Sequence, residues 1–552
     1  MTDAGHIKGW RRQRQGAQAV RRAAHRLRLA VGILLIFLFI VPGGCVMPGE
    51  PVFPTLETNG YSVPGQTVST DETSSTGDSS GEPVTLTVAV PFGKDAADLL
   101  RLLFLARTSG QLPGEDGQLI GQHVQADDLA PFDGSLQIAI QTVSATAGAT
   151  AEQMSLWQAA AQMPDVLYVR SAAQSPGLDQ LLDLQEWVFD DALLSAGHIY
   201  AEALNSMRTE QILYGIPYLA STPMVFFNQK LLEQFHAENP DLNQTWDDWQ
   251  NLLARLQSAV SLAGQGATPA NLALYAEFPQ QRDDHLRQSV FLLENPVDFL
   301  PFLPASLAMT SGWAMWQGPR FIFADSSFRI SADWLRRQVQ MGYSPWHLSF
   351  EDRITALKVN SARTDNRVIF WVGDSTDLSA WHQQTALSVG ECFMPAGARD
   401  IRSNLPDSAS GAAYAWLDQR LPVEIRSLVV SKTTREPALA AAFAVFLALD
   451  ADSLLLQSRF QLYEGLFPLV QEQAVWEAMV ARQPFGYILL TIKDRMPYAY
   501  CSGRQMIAAW DATMNQVFQQ LGARYLSMTD TSGLTPLLDD ISKTVPRILA
   551  EE

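Results

Sequence analysis

The first patterned stretch of the chain is Val84-Thr-Leu-Thr-Val-Ala-Val90, where apolar and β-branched residues alternate with threonine. A period of two marks a strand with one buried face. Residues 95–107 switch to helical spacing, and a polar, glycine-containing insertion fills about 109–134. Leu136-Gln-Ile-Ala-Ile140 alternates again, 151–161 reads as a helix, and Asp165-Val-Leu-Tyr-Val169 as a third strand. Strand, helix, strand, helix, strand predicts a parallel sheet with crossover helices. Ligands of such sheets bind beyond the carboxyl ends of the strands.

The pattern continues through the body. Val225-Phe-Phe227 is a strand, followed by a helix over 229–235. Thr245 has the chemistry of an N-cap: its hydroxyl accepts a free backbone N–H, and Asp247 and Asp248 in the first turn suit the positive helix end. That helix runs to about residue 259. A long middle rich in Pro and Trp follows. Residues 331–341 are helical, Arg367-Val-Ile-Phe-Trp371 and Ser427-Leu-Val-Val430 are strands, and helices are expected at 436–449, 471–482, 504–521 and 534–549. There is no internal repeat.

The N-terminus has a different texture. Residues 1–44 carry eight Lys/Arg against one acid, a net of +7. An uncharged apolar run covers 29–41, and Gly43-Gly44-Cys45 follows. Thirteen helical residues span about 20 Å, short of the ~30 Å hydrocarbon core. A basic flank, a short apolar segment and then small residues form the layout of a secretory signal. Gly43-Gly44-Cys45 resembles a bacterial lipobox, whose Cys is lipidated and becomes the first mature residue, although Pro42 stands where that motif favours Leu. Counted through Met47, the uncharged stretch is long enough to serve instead as a signal anchor. Both readings keep the Arg-rich side cytoplasmic and send the rest out. Residues 46–82 hold no Lys or Arg and are dense in Pro, Ser, Thr and Gly. Such a segment buries too little apolar surface to offset its ordering entropy, so it reads as a disordered tether.

Charge and cysteine content narrow the function. The formal net charge is −19, which leaves −26 for the body beyond residue 44. A body that acidic repels phosphate backbones and excludes a nucleic-acid partner. Three cysteines, Cys45, Cys392 and Cys501, make neither a disulfide framework nor a zinc cluster. A Cys392–Cys501 bridge and two separate buried thiols both stand as readings. Among eight histidines there is no H-E-x-x-H, and the chain has no Walker loop and no G-x-S-x-G, so no catalytic residues, metal or cofactor are expected.

Several segments in order resemble bacterial extracellular solute-binding proteins of the family that includes maltose- and other sugar-binding proteins. They are Met163-Pro164-Asp165-Val166, Leu181-Leu182-Asp183-Leu184, Tyr214-Gly215-Ile216-Pro217-Tyr218, Val225-Phe226-Phe227-Asn228-Gln229-Lys230 and Thr245-Trp246-Asp247-Asp248-Trp249. Val430-Ser431-Lys432, the helix from Glu436, Gly465 with Pro468, and the tail around Trp510 continue the series. The resemblance spans about 84–549 and departs at 262–330. It implies a two-lobed α/β fold of the type II periplasmic-binding-protein kind, with hinge-crossing segments and a ligand cleft between the lobes. On that frame 84–220 opens the first lobe, 221–426 forms the second with the divergent insert at about 262–330, and 427–552 returns to the first lobe and ends in helices shared by both.

The implied function is an extracytoplasmic receptor on the outer face of the cell membrane, held by lipid at Cys45 or by the signal anchor. It delivers a small solute, a carbohydrate, to the permease subunits of an ABC importer. A ligand sensor of the same fold, or an extracytoplasmic carbohydrate-active enzyme, are the competing readings. Residues expected at the cleft are Phe92 after the first strand, Tyr218, then Trp371, Asp374 and Ser375 in the second lobe, and Tyr463 and Glu464 before the Gly465 turn. Sugars need this mixture: flat rings for their C–H faces, and Asp, Glu and Ser for their hydroxyls. Trp313, Trp316 and Trp346 are looser candidates, while Asp165, Asn228, Trp246 and Trp249 read as structural.

Overall fold

The computed structural model describes residues 84–110, 119–132, 136–145, 148–170, 180–188, 191–194, 197–209, 212–299, 302, 316–317, 320–321, 326–357, 363–384, 387–396, 420–460 and 465–501, with 536, 540 and 543. The N-terminal signal and tether, the 504–521 helix and most of the 534–549 helix lie outside these residues.

Two sheets carry the body. The first has seven strands: β1 (Val84–Val90), β2 (Leu136–Thr142), β3 (Val166–Val169), β4 (Ile216–Ser221), β9 (Leu421–Val430), β10 (Phe467–Pro468) and β11 (Ala499–Cys501). Their order is β10–β4–β9–β3–β1–β2, with β11 alongside β9. The second has four: β5 (Pro223–Asn228), β6 (Phe291–Leu293), β7 (Val368–Asp374) and β8 (Val389–Phe393), in the order β8–β5–β7–β6.

The parallel arrangement expected of β1, β2 and β3 is present: β1 pairs in parallel with both neighbours. Asp165 ties this unit together, since its carboxylate accepts from Thr87 N at 2.8 Å while its own N–H donates to Thr87 O. The sheet as a whole is mixed, because β9 runs antiparallel between β3 and β4. β9 is buried over all ten residues and extends to both sides of position 426. The second sheet is also mixed, with β5 antiparallel to β7 and β8.

Helices cover the faces. α1 (Lys94–Thr108) packs beside β2, and α2 (Ala151–Ala159) links β2 to β3. α3 (Trp246–Leu262) starts at Thr245 in a capping box, Thr245 Oγ1 accepting from Asp248 N at 3.2 Å. Its buried stripe, Trp246, Trp249, Leu252, Leu253, Leu256 and Val260, follows the i, i+3, i+4 spacing of one helix face. Trp249 lays its ring 4.6 Å from that of Phe370 on β7, and Trp246 meets Trp334 of α4 (Ser326–Gln340) at 5.2 Å. Both tryptophans are core. α5 (Leu378–His382) follows β7. α6 (Pro437–Leu449) is almost wholly apolar and buried, and its Phe443 and Phe446 rings sit 5.2 and 5.3 Å from Phe104 of α1. α7 (Ala451–Ser458), α8 (Gln473–Val480) and α9 (Gly486–Arg495) complete this part. Among the described residues no single helix is long and apolar enough to cross a membrane.

Cys392 on β8 and Cys501 on β11 are free, buried and in different sheets. The bridge reading gives way to two buried thiols. Burial, and then Glu391 beside Cys392 and Glu202 beside Cys501, push both thiols well above the usual range, so neither is a ready nucleophile.

Candidate functional site

The chain passes between the sheets at Thr222, the one residue separating β4 from β5. This crossing lies beside the carboxyl ends of the first sheet, where Arg170 follows β3 and Ser221 closes β4. Hydroxyl groups stitch it. Thr222 Oγ1 donates to Pro422 O at 2.8 Å, at the start of β9. Ser375, just past β7, donates through N to Thr222 O at 2.8 Å, accepts from Thr222 N on Oγ at 3.1 Å, and donates Oγ to Gly465 O at 2.5 Å. One serine thereby joins three segments that converge on the crossing.

Charge collects at the same point. Within the buried strand β9, Glu424 and Arg426 alternate with apolar neighbours and so share a face. Arg170 Nη2 donates to Glu424 Oε2 at 2.6 Å; the glutamate side chain is 4% exposed and the arginine 42%. Arg426 Nη1 donates to Ser221 Oγ at 2.8 Å, and Ser221 Oγ donates to Asp374 Oδ2 at 2.7 Å. Burial raises the Asp374 carboxyl above the usual carboxylate range, with Arg426 opposing and Glu424 adding to the rise. Asp377 adds a third carboxylate, accepting from Asp374 N at 2.9 Å, so the crossing concentrates strong hydrogen-bond donors and acceptors. Among the described residues no group of three His, Cys, Asp or Glu side chains is placed to hold a metal ion.

Asp374 and Ser375, two of the expected site residues, meet at this crossing. Phe92 lies in the first core at 2% exposure. Tyr218 is at 0%: it lies within β4, its hydroxyl donates to Gln457, and its ring meets Tyr168 edge-on at 5.6 Å. Trp371 is at 1%, stacked on Phe226 and 5.1 Å from Trp381, with the Arg363 guanidinium 5.5 Å from its ring. In this arrangement neither Tyr218 nor Trp371 presents a ring face to solvent, and both serve as core. Trp346 packs against the second core with Arg353 over its ring at 4.7 Å. Tyr463, Glu464 and Trp313 lie outside the described residues, as does the side chain of Trp316.

Arg170, Ser221, Glu424 and Arg426 were not among the expected residues. The signal for two of them lies in the sequence: Glu424 and Arg426 stand two apart inside an otherwise apolar run, and a buried charge is costly unless paired.

Residues 135–280 match the family described as bacterial extracellular solute-binding protein. Over those residues the chain resembles that family. Solved structures agree on the architecture. The sugar-binding protein MalE from Xanthomonas citri superposes with a TM-score of 0.53 at 14% identity, covering 85% of this chain and 98% of its own. The ABC substrate-binding protein of Listeria monocytogenes solved with cycloalternan gives 0.52 at 11%, covering 84% and 99%. A cyclic alpha-maltosyl-1,6-maltose binding protein from Arthrobacter globiformis gives 0.52 at 14%, covering 85% and 100%. At such identities the likeness speaks to the fold. No curated protein sequence matches the chain.

Proposed function

We propose that this chain is an extracytoplasmic solute-binding receptor that captures a polyhydroxyl solute, a carbohydrate, and passes it to the permease of an ABC importer. The observation that carries this reading is the hydrogen-bonded set of Arg170, Glu424, Arg426 and Asp374 at the crossing between two sheets of a solute-binding fold. Guanidinium donors and carboxylate acceptors side by side suit hydroxyl groups, which both donate and accept, and charged hydrogen-bond partners are stronger than neutral ones. Arg170, half-exposed and held by Glu424, is the ligand-facing donor. Tyr463 and Glu464, immediately before the Gly465 turn, flank the same crevice in this reading. Two solved structures of similar fold, one in complex with cycloalternan and one a cyclic alpha-maltosyl-1,6-maltose binding protein, support the ligand class. The protein binds and releases its solute without chemical conversion.

A thermal-shift screen against neutral oligosaccharides and ionic metabolites tests the ligand class. A saccharide at 100 times its Kd adds about 2.7 kcal/mol of stability and raises the melting temperature. A response confined to ionic metabolites contradicts the reading.

The anchor is the second part of the proposal. The apolar run before Cys45 and the polar 46–82 stretch suit a lipid-held body on a flexible tether. Fatty-acid labelling of the full chain is expected to vanish in Cys45→Ser; equal labelling of that variant points to a signal anchor instead.

A further inference from the structure

β2 stands at one edge of the first sheet. Among the described residues it pairs with β1 alone, in parallel, from Val84–Leu136 to Val90–Thr142. That register fixes which way its backbone points, because successive residues of a strand turn their N–H and C=O groups to opposite sides. Val143 N donates to Val90 O, so the odd-numbered residues of β2 serve the ladder with β1. Thr87 of β1, also odd-numbered, bonds to Asp165 on the opposite side, in agreement with this alternation. Ile138 and Ile140 therefore turn their N–H and C=O groups to the open edge, where no described strand lies beside them. Leu136 O, on the same side, accepts from Arg101 Nη1 at 3.3 Å and marks the end of the open stretch.

An open edge of this kind takes another strand, and folds guard against it with lysine, proline or a bulge. β2 carries none of these guards. Its sequence, Leu-Gln-Ile-Ala-Ile-Gln-Thr, has no charge and no proline, and its register against β1 is unbroken. Residues 137–141 are half-buried. The strand also mirrors itself about Ala139. When two copies pair antiparallel about that residue, Ile138 faces Ile140 of the partner subunit, and Gln137 faces Gln141 of the partner subunit. β-Branched residues then meet across the strands, amides that both donate and accept meet beside them, and no like charges are opposed. Gln137 Nε2 is buried with no hydrogen-bond partner within the chain, and an opposing amide offers it an acceptor.

We propose that β2 is a self-docking edge, at which two copies of this chain join antiparallel about a two-fold axis at Ala139. Each Ile138–Ile140 pair exchanges both of its backbone hydrogen bonds, and the first sheet runs on through the pair of molecules. Ala139 falls in the narrow, non-hydrogen-bonded pair, whose Cα atoms lie about 4.5 Å apart. One pair of short strands buries less than the ~1,600 Å² of a standard interface, so the contact is weak in dilute solution. Holding both copies on one membrane raises their local concentration and favours it. The inference goes beyond the receptor reading and does not depend on the ligand.

Disulfide capture on the full chain in detergent tests this, in a Cys45→Ser background whose remaining thiols, Cys392 and Cys501, are buried. Ala139→Cys is expected to give a covalent dimer under mild oxidation, since a Cα separation of about 4.5 Å is one that a disulfide spans. Gln137→Cys, which meets Gln141 of the partner subunit and not its own copy, is expected to stay uncrosslinked. Sedimentation over a rising concentration series is expected to take the Cys45→Ser protein from monomer to dimer. Adding Ala139→Lys, which opposes two like charges at the axis, removes the dimer. The proposal is overturned if Ala139→Cys stays monomeric or crosslinks no better than Gln137→Cys. It is equally overturned if the Cys45→Ser protein stays monomeric throughout, or if Ala139→Lys dimerises as strongly, which assigns the contact to another surface. Should circular dichroism show that Ala139→Lys does not fold, the comparison of Ala139→Cys with Gln137→Cys decides. No solute is present, so failure here leaves the receptor reading intact, and failure of every saccharide to bind leaves the edge contact intact.

Discussion

Gly465→Ala is expected to lower the stability of the body by more than about 4 kcal/mol, from two effects that add. Gly465 has φ +69°, a conformation that costs an L-residue roughly 1–2 kcal/mol. A Cβ at this position would stand 2.0 Å from Ser375 O and 2.6 Å from Thr376 Cα. Those are backbone atoms of the β7 exit, so relief requires the Gly465 turn and the β7 exit to move apart. Separation also breaks the bond from Ser375 Oγ to Gly465 O and weakens the one from Gly465 N to Gln483 Oε1. Urea unfolding measures the loss. A change below about 1 kcal/mol, the scale of an ordinary surface substitution, means that the Gly465–Ser375 contact does not form in solution.

Arg426→Met is expected to cost about 3–5 kcal/mol near neutral pH, the usual cost of removing one partner from a buried charge set. Arg426 is 2% exposed, and it is the cation that opposes the rise of the Asp374 carboxyl. Without it, Asp374 and Glu424 face each other with less compensation, and the Asp374 carboxyl rises further. The pH dependence has a definite sign. A carboxyl raised above its unfolded value holds its proton more tightly in the folded state. Its ionisation penalty therefore appears as pH rises through the folded value and fades as pH falls. The deficit of Arg426→Met relative to wild type should accordingly shrink as pH falls through the raised folded value. Guanidinium unfolding over a series of pH values reads this directly; a deficit that stays constant or grows on acidification contradicts the electrostatic account of the crossing.

The sequence reached the architecture through local signals that tertiary structure did not override. β1, β2 and β3 alternate or concentrate β-branched residues, and Thr245 is the N-cap that residue chemistry alone suggests. The antiparallel insertion of β9 between β3 and β4 was not legible. Pairing partners more than 200 residues apart leave no mark in a local pattern, and only Leu428–Val430 at the end of β9 reads as a continuous apolar run.

The site was legible in part for a related reason. Position along a strand pointed to Asp374 and Ser375, which do lie at the crossing. It pointed equally to Tyr218 and Trp371, whose side chains point into packed layers. Which way a residue faces depends on register, and one position reverses it. Arg170 gave no local hint at all, since its partner Glu424 is 254 residues away.

The central claim, solute capture at the crossing of the two sheets, is tested most directly by calorimetric titration with the saccharide that gives the largest thermal shift, on wild type and on Arg170→Ala in parallel. The account predicts one site per chain in wild type and an affinity lower by about tenfold or more in Arg170→Ala, as loss of a charged hydrogen bond of roughly 1.5–3 kcal/mol implies, with circular dichroism unchanged. Equal affinities for the two proteins, or no binding of any saccharide to wild type, would contradict it.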